Sequence, residues 1–187
     1  PFAIFVGRIT RQKGLAHLLR AWKEVPAEYG LVLAAGSPDE EGIGTEVASL
    51  IKDLQRTRGN VWWIKEMLPH DQLTAMLTAA DLFICPSIYE PLGIVNLEAM
   101  GCETAVLGSR VGGIPEVVAD QETGELVDYN GDAATFEKAL AESITRLMAQ
   151  PELLKKYGRA GRIRAQKLFG WDAVAALTVD LYRRVIA

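Results

Sequence analysis

Two carboxylates and a glycine stand in the stretch from Tyr89 to Gly101, YEPLGIVNLEAMG. Glu90 falls in a turn marked by Pro91 and Gly93, and Glu98 follows eight residues later on a helical pattern. Acids so placed can act as a catalytic pair, hold a metal, grip a sugar or lie on plain surface. The preceding strand pattern ends at Cys85, so Gly93 is predicted to open a helix whose N–H groups, with no side chain in the way, form an anion site. Glu98 would lie about 6 Å further along the axis, where its two acceptor oxygens suit a ribose diol while phosphates rest on the helix start. Glu90 would face whatever lies beyond the phosphates. On this reading the acids bracket a ligand and need not touch or share a proton. The competing reading makes Glu98 an ordinary helix-surface acid and Glu90 a turn residue.

A second candidate follows the first strand pattern. GRITRQKG carries Arg8, Arg11 and Lys13 and no acid before Leu15. A helix start prefers acids, and a Thr N-cap is best followed by Glu three residues on. Here Thr10, taken as the N-cap, is followed at that position by Lys13. Each misplaced cation costs about 0.3 to 1 kcal/mol, and a bound anion reverses the sign. Arg8 and Lys13 therefore either converge with helix N–H groups on a phosphate or are both solvated. Arg11 reads as surface.

Other chemistries find less support. Ser109 is not within G-x-S-x-G, and both histidines precede it. There is no Asp-x-Asp motif, and His17 and His70 have no neighbouring ligand set, so no metal is expected. His17 reads as structural and His70 as a helix start. Asp39, Glu40 and Glu41 could chelate Mg²⁺ but sit in a Gly/Pro-marked loop, where a run of acids is ordinarily solvated. Cys85 and Cys102 read as packing residues. Gly112 and Gly113 either line a cleft or make a tight structural turn. Trp62 and Trp63 are expected in the core or near a bound base.

The elements that must position these residues follow from periodicity. Short apolar runs alternate with helical patterns, the signature of βαβ units and a parallel sheet. Strands are predicted at 2–6, 31–35, 61–64, 82–85, 105–107 and 125–127. Between them Leu15, Leu18, Leu19 and Trp22, then Val47, Leu50, Ile51 and Leu54, then Leu73, Met76, Leu77 and Ala80 recur at helical spacing. After Tyr129 the pattern is helical only, with Phe136, Leu140, Ile144 and Leu147, a Pro151 helix start and a last segment from Trp171. The fold class expected is α/β, a doubly wound, Rossmann-like, mostly parallel sheet with a helical C-terminal tail. Ligands of such sheets bind beyond the carboxyl ends of the strands, where both candidate motifs lie. Arg159, Arg162, Arg164 and Lys167 read as a solvated helix face.

With 187 residues, one domain with a sizeable core is expected. A net charge of −4 argues against a duplex nucleic-acid partner. Two cysteines without CxxC suit a reducing, cytoplasmic setting, and no apolar run is long enough to span a membrane. The chain opens directly on a strand pattern, PFAIFVGR, without an initiator Met, which predicts a piece of a longer protein.

In order along the chain, FVGRITRQKG, SIYEPLGIVNLEAMGCETAV, VGGIPEVV and TGELV resemble the C-terminal, nucleotide-sugar-binding half of retaining GT-B glycosyltransferases, of the glycosyltransferase 4 and glycogen synthase type. The wording around YEPLGIVNLEAMG is most similar to actinobacterial-type glycogen synthases. The resemblance implies that 1–187 is a donor-binding domain whose N-terminal acceptor domain is absent, with the final helix at 171–187 reaching toward it. It implies that Arg8 and Lys13 hold the diphosphate, Glu90 contacts the donor sugar and Glu98 the ribose. Leu92, Gly93, Ile94 and Val95 would line phosphate and sugar, and Met67 and Leu68 would meet the base. The implied partners are a nucleotide diphosphate sugar, ADP-glucose or a UDP-sugar, and a glucan or small acceptor, with no other cofactor. The isolated chain is expected to bind nucleotide weakly and transfer nothing. A nucleotide-sugar 2-epimerase and a non-catalytic binding module are the alternatives; a dehydrogenase is disfavoured because the first turn lacks G-x-G-x-x-G. One departure stands out: Glu103 occupies a position where the resembled family has a small residue, which bears on the local turn.

Overall fold

The computed structural model of the chain describes residues 1–186; Ala187, the last residue of the expected final segment, lies outside them. Strands β1 (Phe2–Ile9), β2 (Gly30–Pro38), β3 (Val61–Ile64), β4 (Leu82–Cys85), β5 (Ala105–Ser109) and β6 (Gly124–Val127) match the expected six within a few residues. They form one parallel sheet in the order β3-β2-β1-β4-β5-β6. Helices α1 (Leu15–Ala21), α2 (Glu41–Thr57), α3 (His70–Ala79), α4 (Ile94–Gly101), α5 (Ile114–Val117), α6 (Ala133–Met148) and α7 (Pro151–Arg164) follow in turn. A π-helical turn (Ala165–Phe169) then leads into α8 (Trp171–Ile186).

Alternation along the strands divides the core into two layers. Ala3, Phe5, Leu31, Leu33, Leu82, Ile84, Ala105 and Leu107 pack with α1, α2 and α6. Ile4, Val32, Phe83 and Val106 face the other way, onto residues of α3, α4 and α5. Central strands buried on both faces need the continuous apolar runs seen in the sequence. The helical spacings hold as well: Leu15, Leu18, Leu19 and Trp22, and Phe136, Leu140, Ile144 and Leu147, are all fully buried. His17 joins two of these helices, its Nδ1 2.7 Å from Glu137 Oε1 and its ring edge-on to Phe136.

Three expectations are corrected. Trp62 is not core: it lies on the edge strand β3 with half its surface exposed, because an edge strand packs on one neighbour only. Trp63 does pack, donating from Nε1 to the Ala35 carbonyl at 2.9 Å. Two of the four basic residues expected to be solvated are not simply so, although Arg159 and Lys167 are exposed as expected. Arg164 donates to the carbonyls of Val117 and Glu116, and Arg162 to that of Gly101, fastening α7 to α4 and α5. Thr10 caps a turn rather than α1: its Oγ1 accepts the Lys13 N–H at 3.2 Å, and α1 starts only after Gly14, in the left-handed region at φ 66°.

Glu103 holds a left-handed backbone at φ 60°. A side chain there costs about 1 to 2 kcal/mol, offset only by a 3.7 Å approach of its carboxylate to Arg162, both of them half exposed. Glu103→Gly is therefore expected to raise stability by about 0.5 to 1 kcal/mol after the entropy of a glycine is subtracted. Urea midpoints of the two proteins check this, and a lower midpoint for the glycine variant would refute it.

Candidate functional site

The strand order decides where a site can form. From β1 the chain winds outward through β2 to β3, then returns to place β4 on the other side of β1. The loops leaving the carboxyl ends of β1 and β4 therefore diverge, and a crevice opens between them. Those two loops are TRQKG, which follows the Gly7–Ile9 end of β1, and PSIYEPLG.

Several contacts fasten one loop to the other. The Ile88 N–H donates to the Gln12 carbonyl at 2.8 Å. A Cβ on Gly14 would collide with the Pro86 carbonyl oxygen, so the chain passes there only as glycine. Lys13, whose side chain runs past Gly7, ends with Nζ 2.6 Å from Glu90 Oε2. Ser87 Oγ donates to the same carboxylate oxygen at 3.2 Å. Glu90 is buried, at 7% exposure, and paired rather than solvated. A carboxylate at that depth requires its partners, since an unpaired buried charge is strongly destabilising. Beneath it, burial pushes the Cys85 thiol up, so Cys85 is a packing residue rather than a nucleophile.

The glycine pair further along the chain supports the same loop. The Gly113 N–H donates to the Glu90 carbonyl at 2.9 Å. A Cβ on Gly112 would strike that carbonyl, and one on Gly113 would strike the carbonyl of Pro91. VGGIPE is thus the shelf on which the Glu90 turn rests.

Gly93 N-caps α4 with φ 82°, and the first turn of that helix holds no acid. Two of the N–H groups at this end belong to Ile94 and Val95, and the helix dipole adds positive potential. An ammonium with three donors, one of them given to Glu90, thus shares a pocket with a helix start. Chemically this corner carries positive potential that draws an anion to the mouth of the crevice, next to a fixed carboxylate, while the pocket between them, about 10 Å³, is too small to hold the anion itself.

Seven of the ten expected site residues border two adjoining pockets. Lys13, Glu90, Gly93 and Val95 border the smaller one. Arg8, Met67 and Leu68 border another of about 200 Å³, together with Gly36 and Glu66. Val6 borders both. The expected convergence of Arg8 with Lys13 is thus not seen in one pocket: Arg8 is exposed and lies on the Met67 side. Leu92 and Ile94 are exposed on the turn. Glu98 is half-buried on α4 and borders neither pocket. Ser87 and Asn96, both buried among the pocket residues, were not anticipated. A polar residue amid the apolar IVNLEAM was the available signal for Asn96.

Residues 1–164 match the family model of glycosyl transferases group 1, and the chain belongs to that family. Its sheet and helices are those of the C-terminal domain of GT-B glycosyltransferases, as the sucrose-phosphate synthase of Thermosynechococcus elongatus illustrates: TM-score 0.83 and 36% identity, over 100% of this chain and 45% of that one. The alpha-maltose-1-phosphate synthase of Mycolicibacterium smegmatis is 50% identical over 100% of this chain and 49% of its own length. The D-inositol 3-phosphate glycosyltransferase of Segniliparus rotundus is 38% identical over 97% of this chain and 39% of its own. The chain therefore spans half or less of the length of these curated relatives. Among the described residues no helix is long and apolar enough to cross a membrane.

Proposed function

We propose that this chain is the donor-binding half of a retaining hexosyltransferase, one that moves glucose from a nucleoside diphosphate sugar to an acceptor hydroxyl. The observation that carries the reading is the Lys13–Glu90 pair beside the acid-free start of α4, at the crevice between β1 and β4. The diphosphate rests on the N–H groups of Ile94 and Val95 and on the remaining donors of Lys13, with Arg8 reaching in from the neighbouring pocket. Glu90 and the backbone around Leu92 and Gly93 contact the sugar, Glu98 the ribose, and Met67 and Leu68 the base. As the glycosidic bond breaks, its electrons pass to the leaving diphosphate. Fixed cations and N–H groups stabilise that growing charge more than the ground state. The acceptor hydroxyl adds to the same face of the sugar and passes its proton to the departing diphosphate oxygen, so configuration is retained.

The relatives' names favour a small phosphorylated acceptor over a glucan, since each contains a phosphorylated sugar or polyol. The acceptor then binds mainly on a second domain, and this chain alone transfers nothing. The free thiols of Cys85 and Cys102 suit a reducing cytoplasm.

Calorimetric titration of this chain with ADP-glucose, UDP-glucose and GDP-glucose tests the donor assignment. Saturable binding of at least one, weakened by salt as phosphate contacts require, is the expected result. Heat of dilution alone for all three would overturn it. Product analysis of the complete protein with donor and acceptor then separates a glycoside from an epimerised sugar.

A further inference from the structure

Asn96 is fully buried, and among the described residues neither its Oδ1 nor its Nδ2 has a hydrogen-bond partner. A buried amide whose hydrogen bonds are left unmade is destabilising, so a partner is required. Its position narrows the choice. A Cβ built on Gly93 would collide with Asn96 Nδ2 and come within 3.3 Å of Glu90 Cγ. The amide is therefore pressed against the underside of the Gly93 turn, on the side of Glu90. It opens on the pocket it shares with Glu90, Lys13 and Ser87, which measures about 10 Å³. That volume admits one water and no sugar hydroxyl with its carbon attached. The surroundings also meet a buried water's need for two to four polar partners: the amide brings a donor and an acceptor, Glu90 an acceptor and Ser87 a hydroxyl.

We propose that Asn96 is a positioning residue that holds a single buried water, and that this water ties its amide to the Glu90 carboxylate beneath the Gly93 turn. The link fixes the depth of Glu90 and, through the turn, the aim of the N–H groups at the start of α4. It explains why the inner face of α4, otherwise built from Ala99 and Met100, carries an amide at this one position. The water site stands on geometry alone; its consequence for sugar transfer rests on the function proposed above.

Two measurements test it. A high-resolution crystal structure of this chain is expected to show a water within hydrogen-bond reach of both Asn96 and Glu90. An Asn96 amide bonded directly to protein groups, with no water between, overturns the proposal whatever the protein's activity. In the complete protein, Asn96→Leu fills the same volume without polar atoms. It is expected to change Tm little, because the water leaves with the amide and Glu90 keeps Lys13 and Ser87 as partners, while lowering kcat about tenfold, the equivalent of one water-mediated bond lost in the transition state. Donor KM should change by less than about threefold, since the diphosphate contacts are retained. Asn96→Ser, which keeps a donor and acceptor, should recover most of the rate. A leucine variant with native kcat, or one whose loss of rate tracks a loss of Tm, refutes the positioning role. If the unaltered protein transfers no sugar, the functional reading fails while the crystallographic result still decides the water site.

Discussion

Lys13→Ala in the complete enzyme is expected to lower kcat at saturating donor by about 10- to 100-fold, the loss of one charge-assisted bond worth about 1.5 to 3 kcal/mol in the transition state. The geometry adds a second consequence that a lysine acting on phosphate alone would lack. Lys13 Nζ is 2.6 Å from Glu90 Oε2, so its removal leaves a buried carboxylate with Ser87 as its remaining partner. The fold should lose about 1 to 3 kcal/mol, less than a wholly buried pair would, because about a quarter of the Lys13 side chain meets solvent. Pairing Lys13→Ala with Glu90→Gln separates the two effects. Neutralising Glu90 removes the uncompensated charge, so the double variant should regain most of the lost stability and none of the lost rate. Urea melts and single-turnover kinetics read these independently. An unchanged kcat in Lys13→Ala would remove Lys13 from the chemistry. Recovery of rate along with stability in the double variant would make the pair a structural brace only.

Gly112→Ala should be comparably damaging, although Gly112 is twenty-two positions from Glu90 in sequence. Its φ of 52° places it in the left-handed region, and an added Cβ would overlap the Glu90 carbonyl oxygen. The obstacle is backbone and has no rotamer to move into. The left-handed conformation costs about 1 to 2 kcal/mol for an alanine, and displacement of the loop adds about 1 to 3 more. Tm should fall by roughly 4 to 20 °C for a chain of this size, and donor binding should weaken because the Glu90 turn can no longer rest on its shelf. Gly131→Ala is the control. Gly131 also has a positive φ, 91°, yet nothing lies within 4 Å of its added Cβ, so only the backbone penalty of about 1 to 2 kcal/mol remains. Equal destabilisation by the two substitutions would show that the Glu90 loop moves freely and that the shelf has no function.

Much of this fold is legible in the sequence. Period-two and period-3.6 patterns report which side of an element meets a core, and that is a local property. Hence the six strands, the buried faces of α1 and α6, and the helix starts at His70, Gly93 and Pro151 all lie at or near the expected positions. Element ends were read less well. Thr10 has the chemistry of a helix N-cap, but Gly14 packs against the Pro86 carbonyl and delays α1. Trp62 has strand character, and only the sheet order reveals that its strand is an edge.

Propensity, periodicity and charge act over a few neighbours, so they set the kind of sheet, the loops able to hold a ligand and the side chains able to meet an anion. Tertiary structure alone decided which of those residues meet. Strand order sets β1 against β4 and so brings Lys13 to Glu90 across 77 positions, sends Arg8 to a neighbouring pocket, lays the Glu90 turn on Gly112 and Gly113, and closes Asn96 beneath Gly93. Contacts of that kind depend on how the chain crosses over between strands, and no local spacing encodes a crossover.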